Sequence, residues 1–521
     1  MAIQFDMRMT KYDAKTLPLD ECKTTFKETV QDFDAETAKK EANRCLHCVR
    51  PMCVTGCPMK NRIPDFIEQI KDGNFLDAYK IIVENSCLSA VCGRVCDQSK
   101  QCEGKCVRGI KGEPVSIGML ERFVSDYVEN EKVIKNIKSR NLENTFDKFK
   151  TNKKIAIIGS GPAGLECAYV LAKRGYNITV FEKEKEIGGI IISSIPEYRL
   201  PKIVVQNALK KFEGLNIKFE TKKCLGKNLF LCDLKKEYDA IFIAVGANNP
   251  KFMGIQGENL KGVVSAKEFL EFSKEYSLKS KEQNLVTETN NKNDGKFKVE
   301  DIKNKRVIVV GGGNVALDSA RSVVRLGAKD VTIFYRRSEN EMPARLMEIE
   351  DAKKEGVIFR VLTNPVEVLG SREASSDTKK NVELADSKNN DKLSSQNSKN
   401  LNNFEFVDFV TGVKCVKIEL GEADESGRRR PVQIENSEFV VPADIVIMAI
   451  GSNFNFENTK NDCFIETSKY GAIVINEDTY QTNENNIFAG GDAVTGPYTV
   501  AGAMRDGKNV ANLIDKTLSN N

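Results

Sequence analysis

Residues 153–184 read KKIAIIGSGPAGLECAYVLAKRGYNITVFEKE, and they are the first of two copies of the pattern that decides the fold. The second copy, at residues 305–337, reads KRVIVVGGGNVALDSARSVVRLGAKDVTIFYRR. Each copy runs from an apolar strand through a glycine-rich turn into a helix and then into a second strand, which is typical of dinucleotide-binding domains. The repeat therefore predicts an α/β protein with two Rossmann-like dinucleotide-binding domains.

The first glycine-rich turn has the residues that a bound pyrophosphate requires. In its G-x-G-x-x-G pattern Gly159 permits the tight turn, Gly161 lets the phosphates approach the backbone, and Gly164 lets the helix pack closely on the strand. The amino terminus of the following helix attracts the anion. Glu182 ends the next strand, where a carboxylate can bind two ribose hydroxyls. We therefore expect a dinucleotide here rather than a merely structural turn.

The second turn differs at the positions that select the nucleotide. Its pattern is G-x-G-x-x-A, with Ala316 in the third position. Its second strand ends in Arg336 and Arg337, where an NAD site would have Asp or Glu. Because a guanidinium donates parallel hydrogen bonds to a phosphate, these residues favour NADPH over NADH, and the alternative is that both are ordinary surface charges. The predicted nucleotide site comprises Gly311, Gly313, Asn314, Arg336 and Arg337.

Composition excludes several classes of function. The 521 residues contain 78 Lys and Arg against 74 Asp and Glu, so a net charge of +4 does not indicate a nucleic-acid or anionic-membrane binder. No apolar run is long enough for a membrane span, and the start of the chain lacks the apolar segment of a secretory signal, so we expect a cytoplasmic protein. His47 is the only histidine, which argues against a histidine-activated nucleophile and a multi-histidine zinc site.

Ten of the fifteen cysteines lie between Cys22 and Cys106. Since disulfides are rare in a reducing cytosol, these cysteines need another explanation. Eight of them form two sets: Cys45, Cys48, Cys53 and Cys57, spaced C-x2-C-x4-C-x3-C-P, and Cys92, Cys96, Cys102 and Cys106, spaced C-x3-C-x5-C-x3-C. Eight thiolates suit two [4Fe–4S] clusters, with two zinc sites as the alternative. The last cysteine of a ferredoxin run binds the other cluster, so the two sets need not match the two clusters.

The end of the chain indicates which dinucleotide occupies the first site. The Gly188–Gly189 pair after Glu182 and the GGDA segment at residues 490–493 resemble those of the flavoprotein pyridine-nucleotide oxidoreductases. This resemblance implies FAD in the first site and an FAD domain that is split by the second domain. It assigns to cofactor binding Gly159, Gly161, Gly164, Glu182, Gly188, Gly189, Arg199, Gly246, Gly491 and Asp492.

The chain as a whole resembles the glutamate synthase small-subunit family. The resemblance rests on the first cysteine set, IPDF, CGRVC, QCEGKC, GEPVSIGMLERF and both glycine-rich turns. The helical amino-terminal part is also similar to that of dihydropyrimidine dehydrogenase. CGRVC, QCEGKC and LERF are similar to the branch that contains the large subunit of the NADH-dependent ferredoxin:NADP+ oxidoreductase and sulfide dehydrogenase.

The family pattern implies cluster ligands that the spacing alone does not give. One cluster would take Cys45, Cys48, Cys53 and Cys106, and the other would take Cys57, Cys96, Cys102 and Glu121. Cys92 is then left over, although the simple count of two sets includes it. Cys22 and Cys87 are expected to be buried apolar residues rather than ligands.

These observations predict three domains. We expect a helical domain with two [4Fe–4S] clusters at 1–145, a split FAD-binding domain at 150–255 and 440–521, and an NADPH-binding domain at 256–440. Polar, low-complexity insertions near 273–304 and 371–403 are expected to be solvated loops, because such segments bury too little apolar surface.

The predicted function is electron transfer from NADPH through FAD to the clusters and a partner. The partner would be a larger synthase subunit or a ferredoxin or flavin electron-transfer subunit. The alternatives are a subunit of the ferredoxin:NADP+ oxidoreductase or sulfide dehydrogenase type, and an electron-transfer or assembly subunit with no substrate of its own. No catalytic acid or base is predicted, because hydride transfer to a flavin need not use one.

Overall fold

The computed structural model describes residues 6–129, 151–282, 298–374, 406–423, 427–454, 456 and 462–519. The chain divides into two compact units. Unit 1 comprises Met1–Asn249, Lys274–Asn284 and Ser452–Asn521, and unit 2 comprises Pro250–Ser273 and Leu285–Gly451.

The helices and strands follow the order that the sequence predicts, with helices first and α/β segments after them. In chain order the α-helices are α1 Leu19–Thr24, α2 Ala35–Ala42, α3 Met52–Gly56, α4 Ile63–Asp72, α5 Phe75–Val83, α6 Ser89–Val95, α7 Ile117–Glu129, α8 Pro162–Lys173, α9 Ile190–Ser193, α10 Lys202–Leu209, α11 Leu231–Glu237, α12 Ala266–Glu282, α13 Asn314–Arg325, α14 Leu346–Lys354, α15 Asp492–Thr495 and α16 Val500–Ser519. The strands are β1 Lys154–Ile158, β2 Asn177–Phe181, β3 Ile217–Glu220, β4 Ala240–Ile243, β5 Asn249–Pro250, β6 Val263–Ser265, β7 Arg306–Val310, β8 Asp330–Tyr335, β9 Ile358–Val361, β10 Thr363–Ala374, β11 Phe406–Ala423, β12 Arg429–Gln433, β13 Phe439–Pro442, β14 Ile445–Met448, β15 Ser452–Asn453 and β16 Ile487–Ala489.

The amino-terminal part of unit 1 is helical, and α4 illustrates why. Its apolar residues recur at helical spacing, so that Phe66, Ile67 and Ile70 face the core together. Gly73 ends the helix in the left-handed conformation, with φ at +82°. The resulting core also contains apolar residues of α2, α5 and α7.

The first copy of the βαβ pattern builds a parallel sheet of five strands in unit 1. The order is β16-β4-β1-β2-β3, so the last strand of the chain joins a sheet that begins far earlier in the sequence. Helices α8 and α16 pack against each other. Strands β1 and β4 are almost wholly buried, which explains their continuous apolar sequence.

Within unit 1 the helical part and the first sheet share buried polar contacts. The backbone N–H of Cys87 donates to the Glu166 carboxylate at 2.9 Å. The Lys211 ammonium donates to Glu129 at 2.8 Å, and the hydroxyl of Tyr79 donates to the same carboxylate oxygen at 2.9 Å. Breaking a buried pair leaves an uncompensated charge, so these contacts hold the helical part in one position on the sheet.

The second copy builds the parallel sheet of unit 2, in the order β6-β14-β7-β8-β9. Antiparallel strands β10, β11, β12 and β13 follow it. Strand β14 pairs with β6 and β7, so the segment up to Gly451 belongs to unit 2. The expected boundary at 440 is therefore too early, because an apolar strand does not reveal which of two similar sheets it joins.

The expectation of a solvated loop from residue 273 is wrong for its first part. Helix α12 continues to Glu282, and Ser273, Lys274 and Ser277 are buried. The Lys274 ammonium donates to the carbonyl oxygens of Ile191 at 3.4 Å and Ile195 at 2.7 Å. Residues 283–297 lie outside the described residues.

The second expected insertion also begins later in the chain than the sequence predicts. Residues 371–374 continue β10 and pair with β11, so they are not a loop. Residues 375–403 lie outside the described residues.

Candidate cofactor sites

The first glycine-rich turn leaves space where a pyrophosphate would approach. A Cβ on Gly159 would lie 2.3 Å from the carbonyl oxygen of Ala244, and one on Gly164 would lie 2.0 Å from that of Gly159. Side chains are therefore excluded at both positions. A Cβ on Gly161 would meet nothing within 4 Å, so this backbone, at the amino end of α8, faces open space. The turn fits a bound dinucleotide.

Glu182 lies at the end of β2, as expected, and it also fixes the turn. Its carboxylate is buried and accepts hydrogen bonds from the backbone N–H of Ser160 at 3.0 Å and from the Ser160 hydroxyl. The N–H of Gly188 donates to the Ser160 hydroxyl oxygen at 3.1 Å. Ser160 thus connects the first glycine-rich turn, of which it is part, with Glu182 and with the Gly188–Gly189 pair. It was missed from the sequence, where it is one of the variable positions of the pattern.

Two further glycine segments approach the same turn. A Cβ on Gly189 would lie 3.0 Å from the Cα of Gly161, and one on Gly491 would lie 3.0 Å from the Cβ of Ala163. Asp492 follows Gly491, and burial raises the pKa of its carboxyl to about 6. The structure therefore brings these predicted segments together at the carboxyl ends of the strands of the first sheet.

Gly246 and Arg199 are less closely connected to the turn. Gly246 follows β4 at the carboxyl edge of the sheet and has a positive φ of 73°, which favours glycine. Arg199 lies between α9 and α10 and is half-buried.

The second glycine-rich turn has a similar backbone. Gly311 has φ at +140°, and its Cβ would lie 2.3 Å from the carbonyl oxygen of Ala449. A Cβ on Gly313 would approach only Pro343, at 3.9 Å. The amide oxygen of Asn314 accepts a hydrogen bond from the backbone N–H of Arg345 at 3.1 Å. Asn314 therefore positions the segment after β8 rather than presenting a free side chain.

The two arginines after β8 have different surroundings. Arg336 is exposed, directly after the last residue of the strand. Arg337 is buried, and its guanidinium donates to the carbonyl oxygen of Arg429 at 2.7 Å. The structure therefore separates a pair that the sequence presents as equivalent.

The first group of cysteines surrounds one small cavity. Cys45, Cys48, Cys53 and Cys106 line it, with the apolar side chains of Ile63, Ile67 and Ile117 among the other lining residues. Burial raises the pKa of Cys45 to about 11 and that of Cys53 to about 12. Four thiols that line one pocket are a donor set that fits a metal cluster bound by thiolates.

The remaining ligand candidates form a second group. Burial and the charge of the neighbouring Glu121 carboxylate together raise the pKa of Cys57 to about 11. Burial and the charges of Glu103, Cys57 and Glu121 raise the pKa of Cys102. Cys96 is buried and interacts with Cys92. The structure thus brings Cys57, Cys92, Cys96, Cys102 and Glu121 together.

Glu121 is a buried carboxylate next to sulfur atoms. It lies on α7, burial raises its pKa to about 8, and it accepts a hydrogen bond from the amide of Asn61 at 3.2 Å. Asn61 was missed from the sequence. The thiol of Cys92 lies 3.9 Å from the Ser86 hydroxyl and 3.8 Å from the sulfur of Met504 on α16. Cys92 thus contacts neighbours from both parts of unit 1.

Family comparisons agree with this geometry. The pyridine nucleotide-disulphide oxidoreductase family matches residues 153–507, and the dihydropyrimidine dehydrogenase domain II, 4Fe-4S cluster family matches residues 22–133. The small chain of glutamate synthase [NADPH] from Escherichia coli K12 is 33% identical over 511 residues, which cover 96% of each chain. The chain belongs to the glutamate synthase small-chain family. It is an NADPH-dependent oxidoreductase of the FAD and [4Fe–4S] type.

Other relatives of this chain belong to enzymes different from glutamate synthase. The beta subunit of NADP(+)-dependent formate dehydrogenase from Moorella thermoacetica is 35% identical, and the match covers 89% of this chain and 60% of the relative. FprA from Mycobacterium tuberculosis, solved in complex with NADPH, has a TM-score of 0.53 at 18% identity, over 71% of this chain and 85% of that one. This last likeness confirms the two-domain dinucleotide-binding fold.

Among the residues that the structure describes, none of the helices combines the length and apolar content needed to cross a membrane.

Proposed function

We propose that this chain is the electron-input subunit of a larger enzyme. Unit 2 would bind NADPH through the Gly311–Asn314 turn and Arg336, and unit 1 would hold FAD on the Gly159–Gly164 turn. FAD held there would supply hydride acceptance from NADPH and one-electron transfer to the iron–sulfur clusters. The observation that carries the proposal is that the two cysteine groups and the FAD turn belong to one compact unit.

We assign the cluster ligands by the two spatial groups. Cys45, Cys48, Cys53 and Cys106 would hold one [4Fe–4S] cluster, a set supported by their shared cavity. Cys57, Cys96, Cys102 and Glu121 would hold the other, with Cys92 beside it. A carboxylate oxygen is a harder ligand than a thiolate, so Glu121 would tune the properties of that cluster.

Two substitutions test this assignment. Glu121→Ala should disturb one cluster and leave FAD in place, whereas Cys92→Ala should leave both clusters intact. EPR spectra and the iron content of the reduced, anaerobic proteins distinguish the variants. Loss of a cluster in Cys92→Ala, with both retained in Glu121→Ala, would show that the two sequential cysteine sets are the ligands.

We propose the docking face of the partner around the first cysteine cavity. Met52 and Val107 line this cavity and are exposed, and Val49, next to Cys48, is 99% exposed. Arg50, next to Val49, and Lys105, which also lines the cavity, are exposed, as is Lys111, four residues after Val107 in the chain. An apolar patch with a basic rim fits a partner whose docking face is acidic around an apolar centre.

The partner that we favour is a larger glutamate synthase subunit, since the match to the small chain covers nearly all of both chains. A ferredoxin or flavin electron-transfer subunit is the second candidate, because a formate dehydrogenase beta subunit is similarly related. This chain would then supply electrons, and the partner would carry the substrate chemistry.

Assays of the isolated chain test the division of labour. With NADPH and an artificial acceptor, the chain should reduce the acceptor rapidly. With NADPH, glutamine and 2-oxoglutarate it should make no glutamate, because the sequence provides no activated nucleophile to release ammonia from glutamine. Glutamate formation at a rate comparable with dye reduction would contradict the proposal.

Adding a partner tests the choice between the two candidates. A purified larger glutamate synthase subunit should restore NADPH-dependent glutamate formation, and a Lys105→Glu, Lys111→Glu variant should lower that rate but not the dye reaction. Ferredoxin reduction without any restored glutamate formation would favour the second candidate.

A further inference from the structure

Two cysteines outside the cluster groups contact each other in unit 1. The sulfur atoms of Cys232 and Cys463 are 2.7 Å apart, although 231 positions separate the residues in the chain. Both side chains are partly exposed. In the sequence they are single, widely separated cysteines, and neither belongs to a predicted cofactor site.

One carboxylate holds the backbones of both cysteines. Asp462 accepts hydrogen bonds from the N–H groups of Leu231 at 2.9 Å and Cys232 at 2.8 Å, at the start of α11. The same carboxylate accepts the N–H of Cys463 at 2.8 Å. Because Asp462 connects both segments, the two thiols are kept in contact by the backbone rather than by chance side-chain rotation.

Apolar packing supports the same arrangement. Leu231 and Leu234 of α11 are buried in one cluster with Ile465, which follows Cys463 by two residues. Ile473, further along that segment, donates its N–H to the carbonyl oxygen of Ala493 at 3.1 Å. The segment after Cys463 is therefore held against both α11 and α15, the short helix that begins at Asp492 of the predicted FAD site.

The surroundings favour a sulfur–sulfur bond over a metal site. Zinc sites in proteins use four ligands, or three with an open position. Among the described residues, only Asp462 joins the two thiols as a possible ligand, and its oxygens already accept three backbone N–H groups. The sulfurs, in contrast, need to approach by less than about 1 Å to reach the length of a disulfide bond.

We propose that Cys232 and Cys463 form a reversible disulfide in exchange with a small-molecule disulfide such as oxidised glutathione. A thiolate of the pair attacks one sulfur of that disulfide and expels one thiol. The second cysteine loses its proton and attacks the resulting mixed disulfide, which expels the second thiol. Two protein thiols are thereby oxidised, and one small disulfide is reduced to two thiols.

The reaction would respond to the redox state of the surroundings. The second step is intramolecular, so the second cysteine attacks the mixed disulfide much faster than a free thiol would. Burial and the adjoining Cys232 thiol raise the pKa of Cys463 to about 11, so Cys463 is protonated at neutral pH and we expect exchange to be slow. The bond would tie α11 to the segment that contacts α15 at Ala493.

Disulfide mapping of the holoprotein tests the proposal. The protein is incubated anaerobically with oxidised glutathione, quenched with acid, alkylated with N-ethylmaleimide and digested without reduction. Mass spectrometry should then detect a linked pair of peptides that contain Cys232 and Cys463. Reduced glutathione should remove the link.

Single variants provide the controls. Cys232→Ser and Cys463→Ser should each lower the linked fraction from nearly complete to none. Cys224→Ser should leave it unchanged, since Cys224 is also partly exposed but its sulfur contacts a backbone carbonyl oxygen. Unchanged FAD content in all three variants would show that they fold. Alkylation of Cys232 and Cys463 to the same extent as Cys224, or a zinc ion retained by these thiols, would overturn the proposal.

Discussion

The two copies of the βαβ pattern build sheets of the same kind but present different groups to a nucleotide. In unit 1 the order is β16-β4-β1-β2-β3, and in unit 2 it is β6-β14-β7-β8-β9, so the first strand of each copy is central. At the end of the next strand the first copy has Glu182, which is buried and bound to the glycine-rich turn. The second copy has Arg336 there, and Arg336 is exposed.

This difference indicates how one backbone design can serve two roles. In the first copy Ser160, Gly189 and Gly491 close around the turn, which suits a cofactor that stays bound. In the second copy the charged group remains at the surface, which suits a nucleotide that binds and leaves. The backbone sets where a dinucleotide lies, and a few side chains set which one binds and for how long.

The largest expected effect comes from the third glycine of the first copy. Gly164→Ala would place a Cβ 2.0 Å from the carbonyl oxygen of Gly159, so α8 or the turn must move. We expect a loss of about 3 kcal/mol in the free energy of unfolding and loss of bound FAD. FAD absorbance of the purified protein and thermal unfolding measure both.

The matched change in the second copy is Ala316→Gly. Since Ala316 is buried in α13 and glycine needs no extra room, the change removes only helix propensity and one buried methyl group, at about 1–2 kcal/mol together. FAD content should be normal. A Gly164→Ala variant that keeps its FAD as well as Ala316→Gly does would show that the third position is equivalent in the two copies.

The next effect concerns the arginines of the second copy. Arg336→Ser should remove charge-assisted hydrogen bonds to the 2′-phosphate, at a cost of about 1.5–3 kcal/mol, which raises the KM for NADPH on the order of tenfold or more. The KM for NADH should hardly change. Steady-state dye reduction with each nucleotide provides the comparison.

Arg337→Ser is the control for that prediction. Its guanidinium already donates to the carbonyl oxygen of Arg429, so its loss should lower stability and affect both nucleotides alike. A selective loss of NADPH binding in Arg337→Ser, with none in Arg336→Ser, would show that Arg337 rather than Arg336 binds the 2′-phosphate.

A smaller effect is expected at Glu182. Glu182→Gln keeps the shape but removes the charge that accepts the N–H and hydroxyl of Ser160, so FAD should bind more weakly by about 1 kcal/mol. Glu184→Gln changes an exposed carboxylate two residues away and should have no effect. Fluorimetric titration of the deflavinated proteins with FAD measures the difference. Equal affinities in the two variants would count against a role for Glu182.

Much of the fold could be predicted because its signals are local. The glycines of both turns and the apolar strands before them lie within short segments, so the sequence alone indicates the βαβ units. The helix at residues 266–282 could not be predicted in the same way. Lys274 is a polar residue in a polar stretch, and it is buried because carbonyl oxygens of Ile191 and Ile195 accept its hydrogen bonds.

For the candidate site too, the sequence predicts what short segments determine and misses contacts between residues that are distant in the chain. The spacing of the cysteines identifies a cluster domain, but spacing does not reveal that Cys106 lies with Cys45, Cys48 and Cys53 around one cavity. The family resemblance implied that set. Ser160, Asn61 and the contact between Cys232 and Cys463 depend on residues that are distant in the chain, and nothing near them in the sequence indicates their partners.

Analysis of one anaerobic preparation tests the central claim most directly, namely that a single chain carries the path from NADPH through FAD to the clusters. Iron, acid-labile sulfide, zinc and FAD are measured per chain, and dye reduction is compared with NADPH and NADH on the same sample. We expect about eight iron and about eight sulfide per chain, one FAD, and faster reduction with NADPH. Zinc in place of iron, a chain without flavin, or equal rates with the two nucleotides would contradict the account.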